Sequence, residues 1–436
     1  MAKDPIGFTL SAVNKFAGST WVDKLGLRKP AEKIAYYSTR TGFQVINTAN
    51  DRFQKARQLI PIRLSREEKL SSPLFDLSLT EEQQLICDSL NQFAREILRP
   101  QASSIDEYGI LPDEIREQAR ALGLVEAVIP EVLGGYASKP ACVTSTLIAE
   151  RLAWGDMGIA LALLGNMSTA SALVRWGTPD QQQRWLPTLL NHPQANATIA
   201  SNEPRVLFTP NQLTTTLTPS ENGYKLSGLK CAVPMAEDAD IFLVTAQTPN
   251  GRTHVAIVDA ALKGISIARD NGMGVRGAQL CEARFEQVEI DESNLLGTAD
   301  FNYQDYTDLA SLALCGLAIG TCQAVLDYVI PYCNERYAFG EPISHRQSVA
   351  FIIANMGIEL ESMRLLTQRA ASRYDQKLPS HREIYLARVL CAEKAMEIAT
   401  QGVQLLGGHG FIKEHPVEHW YRDLRIVASL YSGLHA

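Results

Sequence analysis

The sequence predicts an α+β multi-domain fold in which an N-terminal helical domain, a central β domain and a C-terminal helical bundle follow one another. Apolar residues recur with a helical period from Leu79 to Leu190. Short β-prone runs replace that period between about Ala197 and Gly297, and the period returns after Asp308 in long segments. The predicted domain ranges are 1–72 for an extension of unknown role, then 73–195, 196–299 and 300–436.

The first helical domain begins at a recognisable cap. Thr80 is followed three residues later by Gln83, which is a capping-box signature, and the helix that starts here is expected to end at Pro100. The same apolar period predicts the further helices 113–122, 143–153 and 180–190.

The middle and last domains are predicted from turn chemistry and helical stops. Asn222-Gly223 and Asn250-Gly251 favour tight hairpins. Gly407-Gly408 is expected to stop the last long helix, because glycine tolerates positive φ. The strands are predicted at 224–226, 241–245, 254–258 and 285–290, and the long helices at 309–332, 348–374 and 382–406.

Composition excludes several classes of function. The net charge of -7 is spread along 436 residues, so the sequence has no basic stripe of the kind that binds nucleic acid. The eight cysteines form no CxxC pair, which favours a reducing cytoplasm, and no metal site is predicted. We see no signal peptide and no run of roughly 20 apolar residues that would span a bilayer.

Two long motifs stand in the last domain. The first runs from Asn334 to Ile343 as NERYAFGEPI and is followed by Gln347; the second is QLLGGHGF from Gln404, continued by PVE at Pro416 and by RD at Arg422. Over roughly residues 74–431 the chain resembles the acyl-CoA dehydrogenase family, whose motifs R-x-x-F-G…Q and Q-x-L-G-G-x-G-F…P-V-E…R-D are similar to these.

The resemblance implies a cofactor, a substrate and an assembly. It implies FAD, an acyl-CoA thioester, and a homodimer, a homotetramer or a mixed oligomer with a paralogue. In such an assembly these two motifs of one subunit contact the ADP half of the neighbour's FAD. Arginine suits phosphate because its donors form a fixed fork, and glycines allow close backbone approach. The residues implied for this cradle are Arg336, Phe339, Gln347, Gln404, Gly407 and Gly408.

The catalytic base of the family is missing from both places where the resemblance puts it. Removing an α-proton from a thioester requires a positioned carboxylate. The usual glutamate of Y-E-G-T falls on Tyr431 or Ser432, and the alternative position falls on Ala310. The substitutes we considered are Tyr306, which would share a helical face with Ala310, Asp308, which would face away, and His435 near the chain end.

The flavin-side wall also departs from the family. The family motif T-E-P-x-A-G-S-D corresponds to NEPRVLFT in this chain, from Asn202 to Thr209. Only the Glu203-Pro204 pair is the same in both. The threonine of W-I-T, which bonds flavin N5 in the family, corresponds to Pro234, which has neither hydroxyl nor N–H. Asn202 still offers an amide that could bond a flavin carbonyl.

Three functions stay open at this point. The first is FAD-dependent α,β-dehydrogenation of an acyl-CoA with a relocated base. The second is a catalytically inactive subunit or scaffold that completes the FAD site of an active paralogue. The third is a flavin-dependent oxygenation on the same fold, which needs no α-proton base. Fold resemblance alone does not choose among them, because function belongs to the site.

Overall fold

The computed structural model describes residues 78–137, 141–192 and 194–431. The chain divides into residues 1–74 and 75–436, and all of the described residues belong to the second unit. The predicted extension 1–72 therefore lies outside the described residues, as do Ser432 and His435. The domain ranges predicted from the sequence stay predictions.

The first helix begins as predicted but does not end as predicted. Thr80 and Gln83 form the expected capping box before α1, Glu81–Phe93. The prediction that this helix ends at Pro100 is wrong: a π-helical segment, Ala94–Leu98, leads directly into α2, Arg99–Tyr108. The change of hydrogen-bond register places Pro100 in the first turn of α2, where a missing N–H costs little.

The remaining helices of this half are α3 Asp113–Ala121, α4 Cys142–Gly155, α5 Met157–Leu163, α6 Gly165–Trp176 and α7 Pro179–Asn191. Of these, α3, α4 and α7 agree with the predicted segments to within two residues. A second capping box, Thr178 with Gln181, starts α7. α5 and α6 had no predicted counterpart, because both are largely buried and the polar residues Ser168, Thr169 and Ser171 of α6 are buried with the apolar ones, so neither shows a clear amphipathic period.

The described part of the middle segment forms one sheet. Its strands are β1 Ala197–Ala200, β2 Thr216–Ser220, β3 Gly223–Val233, β4 Ile241–Gln247, β5 Thr253–Asp259, β6 Ile265–Arg269 and β7 Cys281–Asp291. The order is β1-β4-β2-β3-β7-β6, and β5 pairs with the other edge of β4. Both predicted hairpin turns are confirmed, with Gly223 at φ 137° and Gly251 at φ 83°. β1, β2 and β6 were not predicted, since each is only four or five residues long.

The C-terminal bundle has the long helices that were predicted. Its elements are α8 Tyr303–Glu335, β8 Tyr337–Ala338, β9 Glu341–Pro342, α9 Gln347–Asp375, α10 His381–Leu406 and α11 Val417–Leu424. α8 starts six residues before the predicted Leu309, because the Asn302 side chain caps it by accepting from two backbone N–H groups. Gly407 ends α10 at φ 57°, as expected of glycine.

α8 is the central helix of the core. Among the described residues it is the one unbroken helix that is long and apolar enough to cross a membrane, which exceeds the sequence expectation. However, 83% of its most apolar window is buried inside the protein, as in the core helix of a globular domain. α4 crosses it closely: a Cβ on Gly320 would collide with Glu150 O, and one on Gly316 would lie 2.8 Å from Thr146 O. The N-terminal and C-terminal helices therefore share one hydrophobic core.

Candidate functional site

The segment around Arg336 lies on the surface at the C-terminal end of α8. Arg336 caps that helix through its backbone N–H, its side chain is exposed, and no partner for its guanidinium is found among the described residues. The short hairpin of β8 and β9 follows, with Phe339 at its tip, 96% exposed and at φ 55°. An exposed phenylalanine in a strained backbone region is a costly feature for a chain without a partner.

The diglycine segment is exposed in the same way. A Cβ added to Gly407 or Gly408 would meet no atom of the described chain within 4 Å. Gly410, by contrast, is required by the chain's own packing, because a Cβ there would collide with Val403 O. Packing within the described residues therefore does not require glycine at Gly408, while Gly407 is favoured there by its own backbone at φ 57°.

Hydrogen bonds hold these two segments at the same end of the bundle. The hydroxyl of Tyr332, one turn before Arg336, lies 2.7 Å from Nδ1 of His409 in the diglycine segment. The hydroxyl of Tyr328 lies 2.7 Å from Nδ1 of His415, and the two imidazoles stack. Gln347 and Gln404 are exposed, at the start of α9 and near the end of α10. We call the exposed surface of Arg336, Phe339, Gly407 and Gly408 the cradle.

The Glu-Pro pair of the flavin-side wall is fixed by a buried ion pair. Glu203 Oε1 lies 3.0 Å from Lys230 Nζ, and the two side chains are 1% and 0% exposed. The backbone N–H groups of Thr214 and Thr215 donate to the same carboxylate. Burial opposes ionisation of Glu203, but Lys230 and these donors lower its pKa to about 2. Glu203 is therefore a structural carboxylate and not a proton acceptor.

Asn202, next to this pair, contacts the opposite wall of the cleft. Its Nδ2 donates to Ser429 O at 2.9 Å, and its Oδ1 accepts from the Tyr431 N–H at 2.9 Å. The rings of Phe208 and Tyr431 meet edge to face with centroids 5.9 Å apart. The flavin contact expected of Asn202 stays a prediction, and the bonds that the amide makes here are to protein.

Two further residues of this wall, Leu207 and Pro234, differ in side chain from the residues that the family motifs have there. Leu207 stands where the family motif has glycine, and it is held at φ 56° with its side chain 89% exposed. A residue with a side chain is strained at positive φ. The loop therefore keeps the left-handed backbone conformation that favours glycine, although leucine stands there. Pro234 offers only a carbonyl, and that carbonyl accepts from the Thr198 hydroxyl at 2.7 Å.

No carboxylate stands at the described positions expected for the base. Ala310 is buried in α8, and Tyr431 is the last described residue. Asp308 is bound by His381 Nδ1 at 2.9 Å. Tyr306 lies among Trp176, Phe301 and Tyr303, and burial raises the pKa of its phenol well above the usual value. The Tyr306 phenol is therefore not suited to abstract a proton near neutral pH, whereas Asp308 is a buried carboxyl whose pKa burial raises and which is paired with His381.

A buried cluster of charges that no sequence pattern predicted lies beneath the RD motif. Nε2 of His419 lies 3.0 Å from Asp423, 3.3 Å from Asp156 and 3.7 Å from Asp106. Burial by itself would lower the pKa of His419, but Asp423, Asp156 and Asp106 outweigh it and raise the pKa to about 10. The cluster is thus an ion-pair network around an imidazolium. Only the i,i+4 spacing of His419 and Asp423 hinted at it in the sequence.

Asp423 and its neighbour also join separate parts of the chain. Asp423 Oδ1 accepts from the Val275 N–H in the loop before β7, and Arg422 donates to Asp106 in α2 and to Met273 O. A Cβ on Gly274 would collide with the Arg422 backbone, so the loop approaches α11 closely. The RD motif therefore has a structural role in joining both helical segments to the sheet.

Comparison with known proteins identifies the family. Acyl-CoA dehydrogenase family models match as N-terminal domain at residues 80–192, middle domain at 198–288 and C-terminal domain at 307–433. Probable acyl-CoA dehydrogenase YngJ of Bacillus subtilis is 31% identical over 363 residues, which cover 81% of this chain and 94% of that protein. The chain belongs to the acyl-CoA dehydrogenase family. The predicted fold class and family resemblance are confirmed.

Other members of the acyl-CoA dehydrogenase family give the same result. The cyclohex-1-ene-1-carbonyl-CoA dehydrogenase of Geobacter metallireducens is 28% identical, with 81% of this chain and 95% of that protein covered. The solved butyryl-CoA dehydrogenase of Megasphaera elsdenii superposes with a TM-score of 0.76 at 26% identity, covering 82% of this chain and 96% of that chain. FAD is thus the cofactor to test against the residues of this member.

The two halves of the site fit FAD differently. Among the residues that the structure describes, the cradle offers a guanidinium with no partner and two glycines with open space beside them, which suits a diphosphate. The cleft of the chain itself does not fit an isoalloxazine ring, because Asn202 and Phe208 bind the segment Ser429–Tyr431 directly. The two sides that would flank such a ring are in contact with each other.

Proposed function

We propose that this chain is a non-catalytic subunit of an acyl-CoA dehydrogenase assembly, whose cradle binds the ADP half of FAD held by a catalytically competent paralogue. The observation that carries the proposal is an asymmetry. Arg336, Phe339, Gly407 and Gly408 are exposed, although the Arg346 guanidinium lies 5.6 Å from the Phe339 ring, while Asn202 and Phe208 contact the segment Ser429–Tyr431 on the side of the chain's own flavin. The paralogue, and not this chain, would act on the acyl-CoA thioester.

The missing base supports a mixed oligomer over a homo-oligomer. Loss of a general base typically costs about 10²- to 10⁴-fold in rate. Ala310 and Tyr431 supply no replacement, and Ser432 is no stronger as a base. A homodimer would join two cradles to two closed clefts, so the cradle has a use only opposite a different subunit. We place this assembly in the cytoplasm, because all eight cysteines are free thiols.

FAD-dependent α,β-dehydrogenation by the chain itself is the second candidate. It is favoured by the names of the relatives, which are dehydrogenases of acyl-CoA thioesters. It requires that the chain alone holds flavin and that a base such as His435 comes from outside the described residues. The two candidates therefore differ in a simple observable, which is flavin bound to the isolated chain.

We expect the tagged chain to purify colourless and to acquire flavin only with a partner. The test is co-expression with each flavin-containing acyl-CoA dehydrogenase paralogue of the same genome, followed by absorption spectra of the tagged eluates. Arg336→Ala should lower FAD affinity in the mixed complex by about 10- to 100-fold, since a charge-assisted bond contributes about 1.5–3 kcal/mol.

The matched control is Arg382→Ala, which removes an exposed arginine at the start of α10 far along the helix from the diglycine. It should leave the FAD affinity of the mixed complex unchanged. One equivalent of FAD on the isolated chain, bleached by an acyl-CoA, would contradict the proposal and establish the second candidate.

A further inference from the structure

We propose that a clamp formed by Asn202, Phe208 and Arg388 on the segment Ser429–Tyr431 closes this chain's own cleft to the isoalloxazine ring. The inference goes beyond the role of the cradle and does not depend on it, because it concerns the isolated chain. It assigns to Asn202 a closing function that the family motif does not have, since the motif carries threonine at that position.

Asn202 acts as a two-ended bridge. It follows β1, its backbone carbonyl accepts from the Cys231 N–H at 2.9 Å, and its side chain is buried. Its amide donor bonds Ser429 O and its amide acceptor bonds Tyr431 N–H, both at 2.9 Å. A carboxamide that bonds both ends of a three-residue segment copies the pairing of a neighbouring strand. Threonine at this position has one short hydroxyl and could not make both bonds.

Two side chains complete the clamp. The Phe208 ring packs edge to face against the Tyr431 ring, where the family motif has serine. Arg388 of α10 donates through Nη2 to Leu430 O at 2.7 Å, and its guanidinium lies 5.5 Å from the centroid of the Tyr431 ring. Arg388 is buried, so these contacts are shielded from water. Asn202 therefore binds residues 429 and 431, and Arg388 binds residue 430 between them.

The departures of the flavin-side motif then have a common explanation. The Asn202 amide reaches further than a threonine hydroxyl, the Phe208 ring is larger than a serine side chain, and both contact the same segment. Pro234 removes the donor to flavin N5, which a closed cleft does not need. The loss of a carboxylate at Tyr431 or Ser432 has no further cost in a cleft that holds no flavin.

The test measures the clamp and FAD binding separately in the full-length chain without a partner. Asn202→Thr should speed hydrogen exchange at the Tyr431 amide by roughly tenfold or more, since that N–H loses its acceptor. The double variant Asn202→Thr with Phe208→Ser should bind FAD roughly 10- to 100-fold more tightly than the unchanged chain in equilibrium dialysis, corresponding to two released hydrogen bonds.

Asn202→Ala is the second variant, chosen because alanine adds no bulk and leaves the Tyr431 N–H without its acceptor. It should speed exchange at that amide as Asn202→Thr does, and it decides the question if Asn202→Thr does not fold. Asn355→Thr, an exposed asparagine on α9, is the matched control and should change neither reading. The unchanged chain purifying with one FAD overturns the clamp, and so does unchanged exchange at Tyr431 in Asn202→Ala. Flavin on the isolated chain would also count against the proposed function, whereas exchange at Tyr431 tests the clamp alone and flavin in the mixed complex tests the cradle.

Discussion

Replacing Glu203 by glutamine is expected to lower the free energy of unfolding by about 3–5 kcal/mol, because it leaves the ammonium group of Lys230 buried without a counter-charge. Lys230 is 0% exposed, and its other partners are neutral oxygens of Ser201 and Thr245. Burial lowers the pKa of Lys230 to about 8 even though Glu203 opposes that change. Without the carboxylate this pKa should fall further. Urea unfolding followed by circular dichroism measures the loss.

The control for Glu203→Gln is Glu289→Gln, which breaks the exposed ion pair with Lys225 in the same sheet. That pair is 3.4 Å long and its side chains are 62% and 40% exposed, so the change should cost less than about 1 kcal/mol. If both substitutions lower the free energy of unfolding equally, the buried pair contributes no more to stability than the exposed one.

The ion pair of Glu203 and Lys230 also predicts how the free energy of unfolding changes at low pH. The pKa of Glu203 is lowered in the folded chain, from 4.5 to about 2. Its contribution is therefore fully present above 4.5 and is lost as the pH falls through about 2. The acid limb of the stability curve should lose this contribution in Glu203→Gln.

Replacing His419 by leucine is expected to destabilise the fold by about 3–5 kcal/mol near neutral pH, since Asp423 and Asp156 would be left buried without their cation. The oxygens concerned are 3.0 and 3.3 Å from Nε2 of the imidazole. The effect should extend to the loop before β7, which is held by the bond from the Val275 N–H to Asp423. Unfolding curves give the magnitude, and hydrogen exchange at Val275 gives the location.

The pH dependence of this effect has a definite sign. The pKa of His419 rises from 6.5 to about 10 on folding, so its stabilisation is fully present below 6.5 and is lost as the pH rises through about 10. His345→Leu is the control, because the His345 pair with Glu341 is largely exposed. If His419→Leu unfolds with the same pH profile as the unchanged chain between those limits, the imidazolium assignment is wrong.

Element types were predictable where local signals were strong. The capping box at Thr80, the hairpin glycines Gly223 and Gly251 and the stop at Gly407 all act within a few residues, so the chain's own chemistry is enough to predict them. The prediction at Pro100 was wrong because a proline ends a helix only where its missing N–H would have donated a hydrogen bond within the helix. The preceding π-helical segment removed that need, and no composition pattern reports such a segment.

The cradle was predictable as a set of residues, while the clamp was not. Arg336, Phe339, Gly407 and Gly408 lie in two contiguous motifs that can be compared with a family letter by letter. The contact between Asn202 and Tyr431 spans more than two hundred residues and depends on how the sheet packs against the segment after α11. The cluster around His419 is of the same kind, since its carboxylates come from three separate helical segments.

By itself, the sequence determined the family, the order of helices and strands, and the absence of a carboxylate at the positions where the family resemblance places the base. Those properties are read from local periodicity and from residue identities. Only the tertiary structure decided that Arg336, Phe339 and the diglycine are exposed and that Asn202 and Phe208 contact the segment Ser429–Tyr431. The physical reason is that exposure and closure depend on hydrogen bonds and packing between residues far apart in the chain, whose partners no local spacing specifies.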